Sequence, residues 1–270
     1  MTLIEALTYV VVGSGIGFLG GLFGLGGGFL LIPVLFYGYE RSGLSQSVLT
    51  HLAIGTSLFV IIFTSLASAY QQEKQKNIDW RSVFPIGVSS SLTALATTKL
   101  AALLSGRSLR VAFAFIAMAA AIKMLTEGAR KEEKRLKGFY HSSMLGYIGV
   151  GLVAGVVSAL AGIGGGIFTI PMMNYFLNMP LKLAIGTSSA TIIITSIFST
   201  AGYILNGIGH PDLPRWCIGF VDLQRGMALA IGTVLLARVG AYVSFRTHPV
   251  LLRRLFAILI SLISLHLLLK

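Results

Sequence analysis

The chain has 270 residues, of which 55% are hydrophobic and 11% charged, and its mean hydropathy is +0.84. That balance cannot cover the surface of a soluble domain, so it excludes a water-soluble globule and indicates a polytopic membrane protein. A net charge of +12 would suggest a nucleic-acid partner in a soluble chain, but here most basic residues lie in short loops between apolar runs, where topology and anionic headgroups account for them.

In chain order, apolar runs fall at about 6 to 23, 28 to 38, 46 to 70, 82 to 104 and 108 to 126, then at about 143 to 161, 166 to 178, 183 to 205, 226 to 244 and 250 to 269. Unpaired backbone is costly in hydrocarbon and the runs lack the alternation of barrel strands, so helices are expected and the fold class is all-α. Met1 to Val12 contains Glu5 and no Lys or Arg, so the basic start of a signal peptide is missing and the first helix is expected to be retained. The single cysteine, Cys217, excludes an intrachain disulfide and a cysteine-built metal site. No cofactor or metal is expected.

Two phrases occur twice. GLFGLGGGFLLIP, Gly21 to Pro33, returns as ALAGIGGGIFTIP, Ala159 to Pro171, at an offset of 138 residues, and AIGTS, Ala53 to Ser57, returns at Ala184 to Ser188 at an offset of 131. Fainter echoes at an offset of 143 match Ile78-Asp79-Trp80 to Val221-Asp222-Leu223 and Phe113-Ala114 to Phe256-Ala257. The chain reads as an internal duplication: a first transmembrane repeat at 1–127, a charged linker at 128–141 and a second repeat at 142–270.

The run Gly28 to Gly38 reaches only about 16 Å, half of a ~30 Å hydrocarbon core. Were Ala6 to Gly38 one broken span, each half would cross four times and the repeats would be parallel; with the short arm turned back, each half counts five and the repeats are inverted. Basic residues separate the two. With Lys99 and Lys123 left out as intrahelical, five-plus-five divides the remaining nineteen as thirteen against six, whereas four-plus-four gives eleven against eight. Inverted repeats are therefore expected, in the cell membrane, with both termini outside and Glu127 to His141 in the cytoplasm.

Gly13, Gly17 and Gly21, like Gly20, Gly24 and Gly28, recur every four residues, a spacing that lets helices pack closely. Gly151 and Gly155, with Ser158, Gly162 and Gly166, repeat it. Three consecutive glycines exceed that need, so Gly26, Gly27 and Gly28, and Gly164, Gly165 and Gly166, are expected to interrupt their helices. After each break a short helix would present free N–H groups and a positive dipole end to an anion. Broken half-helices meeting near the midplane are a recurring transporter arrangement.

Thr56, Ser57, Thr187 and Ser188 of the AIGTS phrases are candidate donors to the same anion; the alternative is a bond to their own or a neighbouring helix. All nine acids lie at segment ends or in loops, which argues for an anionic or neutral cargo. Lys99 and Arg238, matched at an offset of 139, either draw anions into a vestibule or snorkel to the interface, as Lys123 does. His51 is either a proton relay or a packed histidine. Ser89, Ser90 and Ser91 have no partnered histidine or carboxylate, so no catalytic residue and no enzyme is expected.

The paired GLGGGFLLIP and GIGGGIFTIP phrases, each followed by AIGTS and then by an Asp at a helix start, resemble the TauE/SafE family of sulfite and organosulfonate exporters. The resemblance spans both halves, with Leu223 where Trp80 stands and Ser189 where Leu58 stands. It implies a secondary transporter of a small anion, sulfite or an organosulfonate, moved outward with the membrane potential; a channel, or an importer of another small oxyanion, is the alternative. The small anion and the lipid bilayer are the expected partners, with no nucleic acid. Oligomeric state is left open.

Overall fold

The computed structural model describes residues 2–44, 46–101, 143–214 and 216–269. The apolar run at about 108 to 126, Lys123, the Phe113-Ala114 echo and the linker 128–141 lie outside the described residues. The helices are α1 (Leu3–Phe23), α2 (Gly28–Arg41), α3 (Gln46–Lys74), α4 (Trp80–Ala101), α5 (Met144–Ala161), α6 (Gly166–Phe176), α7 (Leu181–Gly207), α8 (Leu223–Arg246) and α9 (Pro249–Leu269). Five stretches among them, α1, Val48–Lys74 of α3, α5, α7 and α8, are long and apolar enough to cross a membrane.

Side chains sort as a bilayer demands rather than as water does. Leu7, Val11, Val88, Leu92, Leu145, Leu235 and Ile258 face outward, whereas Thr56, Ser57, Thr64, Ser65, Ser188, Ser196 and Thr233 are buried in the bundle. Small residues bring the backbones together. Gly13, Gly17 and Gly21 of α1 rest on Leu229, Thr233 and Ala237 of α8, so these two helices run parallel, and Gly232 and Gly240 answer against Val10 and Phe18. In the same way Gly151 and Gly155 of α5 rest on Ile86 and Ser90 of α4, again parallel. Close packing thus accounts for these outlying glycines.

Between the two parallel pairs, α3 and α7 run antiparallel. Gly55 sits against Tyr203, Ser68 and Ser189 share a hydrogen bond of 3.1 Å, and the Asn77 side chain donates to the Lys182 carbonyl at 2.7 Å. The short arms turn back: Gly38 of α2 lies against Tyr9 near the start of α1, and Leu177, just past α6, lies against Gly146 near the start of α5.

Helix starts are fixed by side chains. Thr2 and Glu5 form a capping box at α1, and Ser143 accepts from Gly146 N–H at α5. The Asp79 and Asp222 echo proves to be a pair of caps. Asp79 accepts from Arg81 N–H at 3.2 Å and from the Ser82 hydroxyl, and Asp222 from Gln224 and Arg225 N–H at 2.9 and 3.1 Å.

Among the described residues the chain departs from an all-helical reading at one place, a small hairpin of β1 (Cys217–Ile218) and β2 (Val221–Asp222). It turns at Gly219, whose φ is +53°. Its Phe220 N–H donates to Tyr203 O at 3.2 Å, so the hairpin closes over the end of α7. Burial there, reinforced by the nearby Asp222 carboxylate, pushes the Cys217 thiol up to about 12. Thiolate is the reactive form, so Cys217 is expected to label slowly with a maleimide at neutral pH and faster only as pH rises toward that value. Rapid neutral labelling of the intact protein would contradict this.

Candidate functional site

Both glycine triplets break their helices, and with the same backbone. Gly24, Gly26 and Gly27 have φ of +65°, +69° and +82°, and Gly162, Gly164 and Gly165 have +63°, +75° and +81°. These are left-handed conformations that an L side chain adopts at a cost.

The two breaks face each other. A Cβ on Gly28 would stand 2.7 Å from Ile163 Cα and 2.9 Å from Gly162 O; one on Gly166 would stand 3.1 Å from Leu25 Cα and 3.2 Å from Gly24 O. From this junction α2 and α6 depart. Their first internal bonds run from Leu30 and Leu31 N–H to Gly27 O, and from Phe168 and Thr169 N–H to Gly165 O. The N–H groups of Gly28, Phe29, Gly166 and Ile167 therefore head the short helices with no acceptor inside them, at the positive dipole ends.

The AIGTS hydroxyls hold this junction across the two halves. Ser57 donates to Gly162 O at 2.6 Å, and Ser188 donates to Gly24 O at 3.1 Å. Each serine thus ties down the break of the other half. Thr56 accepts from Asp222 N–H at 2.9 Å and shares a 3.1 Å bond with the Tyr39 hydroxyl; Thr187 accepts from Asp79 N–H at 3.0 Å. The hydrogens of Ser57 and Ser188 are engaged by carbonyls, and the threonines anchor the loops that begin α8 and α4.

Lys99 and Arg238 stand apart from the breaks. Both are exposed, and the Arg238 guanidinium lies 5.0 Å from the centre of the Tyr70 ring. Counted from the two capping aspartates, Lys99 is twenty residues on and Arg238 sixteen, so they are offset by one helical turn. The His51 ring packs 5.1 Å from Phe220, which His210 approaches at 5.7 Å. Among the described residues no three His, Cys, Asp or Glu side chains cluster as a metal site would need. The hydroxyls of Ser89 and Ser91 donate to carbonyls of their own helix, and that of Ser90 also meets Thr195 at 2.5 Å.

Two hydroxyls outside the predicted set belong to the junction. Ser65 and Ser196 are fully buried and have no hydrogen-bond partner among the described residues. A Cβ on Gly26 would lie 2.9 Å from Ser65 Oγ, and one on Gly164 3.4 Å from Ser196 Oγ. The signal was in the sequence: Thr64-Ser65 returns as Thr195-Ser196 at the same offset of 131 as AIGTS.

A helical multi-pass bundle with polar side chains inside, apolar ones outside and two facing helix breaks defines a membrane transport protein. The chain belongs to the sulfite exporter TauE/SafE family, whose profile matches residues 9–267. It is 28% identical over 265 residues to a probable membrane transporter protein of Haemophilus influenzae, covering 98% of each chain. A probable membrane transporter protein of Methanocaldococcus jannaschii is 30% identical, with 96% of this chain and 94% of the relative covered. YunE of Bacillus subtilis, also named a probable membrane transporter protein, is 32% identical over 73% of this chain and 78% of its own. No solved structure matches.

Proposed function

We propose that this protein is a secondary transporter of a small anion, sulfite or an organosulfonate, which leaves the cell through the junction of the two glycine breaks. The observation that carries the proposal is the facing pair of breaks, each opening a short helix by its N-terminal end. Gly26, Gly27, Gly28, Gly164, Gly165 and Gly166 supply backbone donors, and the reciprocal bonds of Ser57 and Ser188, with Thr56 and Thr187 beside them, keep those donors aimed. Lys99 and Arg238, exposed toward the helix ends, act before binding, by drawing anions to the vestibules.

The two halves are inverted repeats of five segments each. This reading is supported by the parallel α1/α8 and α4/α5 pairs, the antiparallel α3/α7 pair and the returning arms. It places the starts of α1 and α5 on opposite faces. Lys74, Lys76, Arg81, Lys182 and Arg246 then gather on the face where α5 begins, against Arg41 and Arg225 on the other. The positive-inside rule makes the richer face cytoplasmic and puts the start of the chain outside the cell membrane. An interior-negative potential drives a monoanion outward by about 2.3 kcal/mol per 100 mV, so export needs no coupling ion.

The test is uptake of radiolabelled sulfite by proteoliposomes holding the purified chain under an imposed potential. Saturable, potential-dependent flux that a sulfonate such as methanesulfonate or taurine inhibits is the expected result. Flux that rises without saturation would make the protein a channel, and flux that requires a proton or sodium gradient would make it an importer.

A further inference from the structure

We infer that Ser65 and Ser196 are the paired substrate hydroxyls of the junction, and that the site they complete selects a singly charged oxyanion over a doubly charged one. The inference rests on the transport reading above and goes beyond it in naming the ligating side chains and the charge of the cargo.

The starting observation is a default that both serines decline. A serine inside a helix ordinarily donates to the carbonyl four residues back. Thr64 does so toward Val60 O at 3.1 Å, and Thr195 toward Thr191 O at 3.2 Å. Their next neighbours, Ser65 and Ser196, do not, although both are fully buried. A buried hydroxyl without a partner costs about 1–3 kcal/mol. The same cost recurs at the same register of both halves, beside Gly26 in one and Gly164 in the other.

The two places are joined. The Ile61 side chain reaches the Cβ positions of Gly26 and Gly28 at 2.7 and 2.6 Å, and that of Gly164 at 3.2 Å; Ile192 does the same for Gly164 and Gly166 at 2.9 and 2.7 Å. Ser65 and Ser196 each stand one helical turn beyond one of these isoleucines, on the same side of α3 and α7 as the breaks. An anion at the junction would meet the free N–H groups at the heads of α2 and α6 and one hydroxyl from each half. That donor set suits a ligand with two or more acceptor oxygens, as a sulfonate or hydrogensulfite has.

All these donors are neutral dipoles. The basic side chains among the described residues belong to helix ends or outward faces: Arg41, Lys74, Lys76, Arg81, Lys182, Arg225 and Arg246 at ends, Lys99, Arg238 and Arg254 exposed. The cost of drying an ion rises with the square of its charge, about fourfold from a monoanion to a dianion of one size. Dipoles compensate a single charge far better than a double one, so hydrogensulfite and sulfonates fit where sulfate does not.

The experiment measures radiolabelled sulfite flux into proteoliposomes for the intact protein and for Ser65→Ala, Ser196→Ala and the double variant. Unlabelled methanesulfonate and sulfate serve as competitors, and thermal midpoints are taken in detergent. Expected are a KM raised about tenfold or more by each single substitution, a thermal midpoint that is unchanged or higher, and competition by methanesulfonate far stronger than by sulfate. The KM for total sulfite should also fall with pH as the monoanion fraction grows. Normal flux with unchanged KM in the double variant would overturn the hydroxyl assignment and leave the transport reading standing. A lowered midpoint with unchanged KM would assign the serines to structure alone. Sulfate competing as well as methanesulfonate would overturn the charge selection, and no flux of sulfite through the unaltered protein would overturn both inference and reading.

Discussion

Leucine in place of Gly27 or Gly165 is expected to abolish anion flux while leaving membrane insertion intact. At these positions φ is +82° and +81°, and the left-handed backbone alone costs an L residue about 1–2 kcal/mol. The side chain then has nowhere to go. Its Cβ would lie 2.7 Å from Ile16 Cγ2 and 3.3 Å from Ile16 O at Gly27, and 2.7 Å from Ala154 O at Gly165. Those oxygens belong to the backbones of α1 and α5, which cannot swing aside as a side chain can. Relief must come from re-routing the break, which moves the heads of α2 and α6 off the junction. Insertion depends on the apolar lengths of the helices, which leucine does not reduce. The measurement is sulfite flux per inserted protein, with a size-exclusion profile as the folding control; undiminished flux from the double variant would sink the role of the breaks.

The second large effect is structural. Ser57→Ala leaves Gly162 O without its 2.6 Å donor, and Ser188→Ala leaves Gly24 O without its 3.1 Å donor. Each orphaned carbonyl is buried, so each substitution should cost about 1–3 kcal/mol, with the shorter bond at Ser57 the more costly. The readout is the thermal midpoint in detergent, where Ser57→Ala should fall clearly while Ser65→Ala does not. These two serines stand on one helix, both fully buried, and differ in whether the hydroxyl is already engaged. Equal midpoints for the two variants would refute the division between clamp and ligand.

Much of this was legible in the residues. Helix positions followed from the apolar runs, and the breaks from the glycine triplets, because nothing but glycine tolerates three left-handed residues in so short a stretch. The Asp79 and Asp222 echo pointed to helix starts, and both proved to be caps. What the pattern could not supply was direction across the bundle. Periodicity gives the level of Thr56 and Ser57 along α3, but their partners lie 166 and 105 residues away, and only folding decides whether a hydroxyl at that level meets a carbonyl or a cavity. Ser65 and Ser196 were hidden for a related reason, since a serine among Ile, Phe and Thr in a membrane helix looks satisfied by its own backbone. The β1–β2 hairpin was missed because two paired residues leave no alternation to detect.

The crossed clamps also set a timetable for making the protein. Gly162 leaves the ribosome after Ser57 is already in place, so the second break can be secured as soon as it forms. Gly24 must wait for Ser188, 164 residues later in the chain. At about 5–20 residues per second that is a delay of about 10 to 30 s. Throughout it Gly24 O, at the first break, waits in the bilayer without its Ser188 donor, and a chain held at that stage is incompletely packed. Slow translation past residue 57 should therefore lower the yield of this chain more than an equal pause after residue 188.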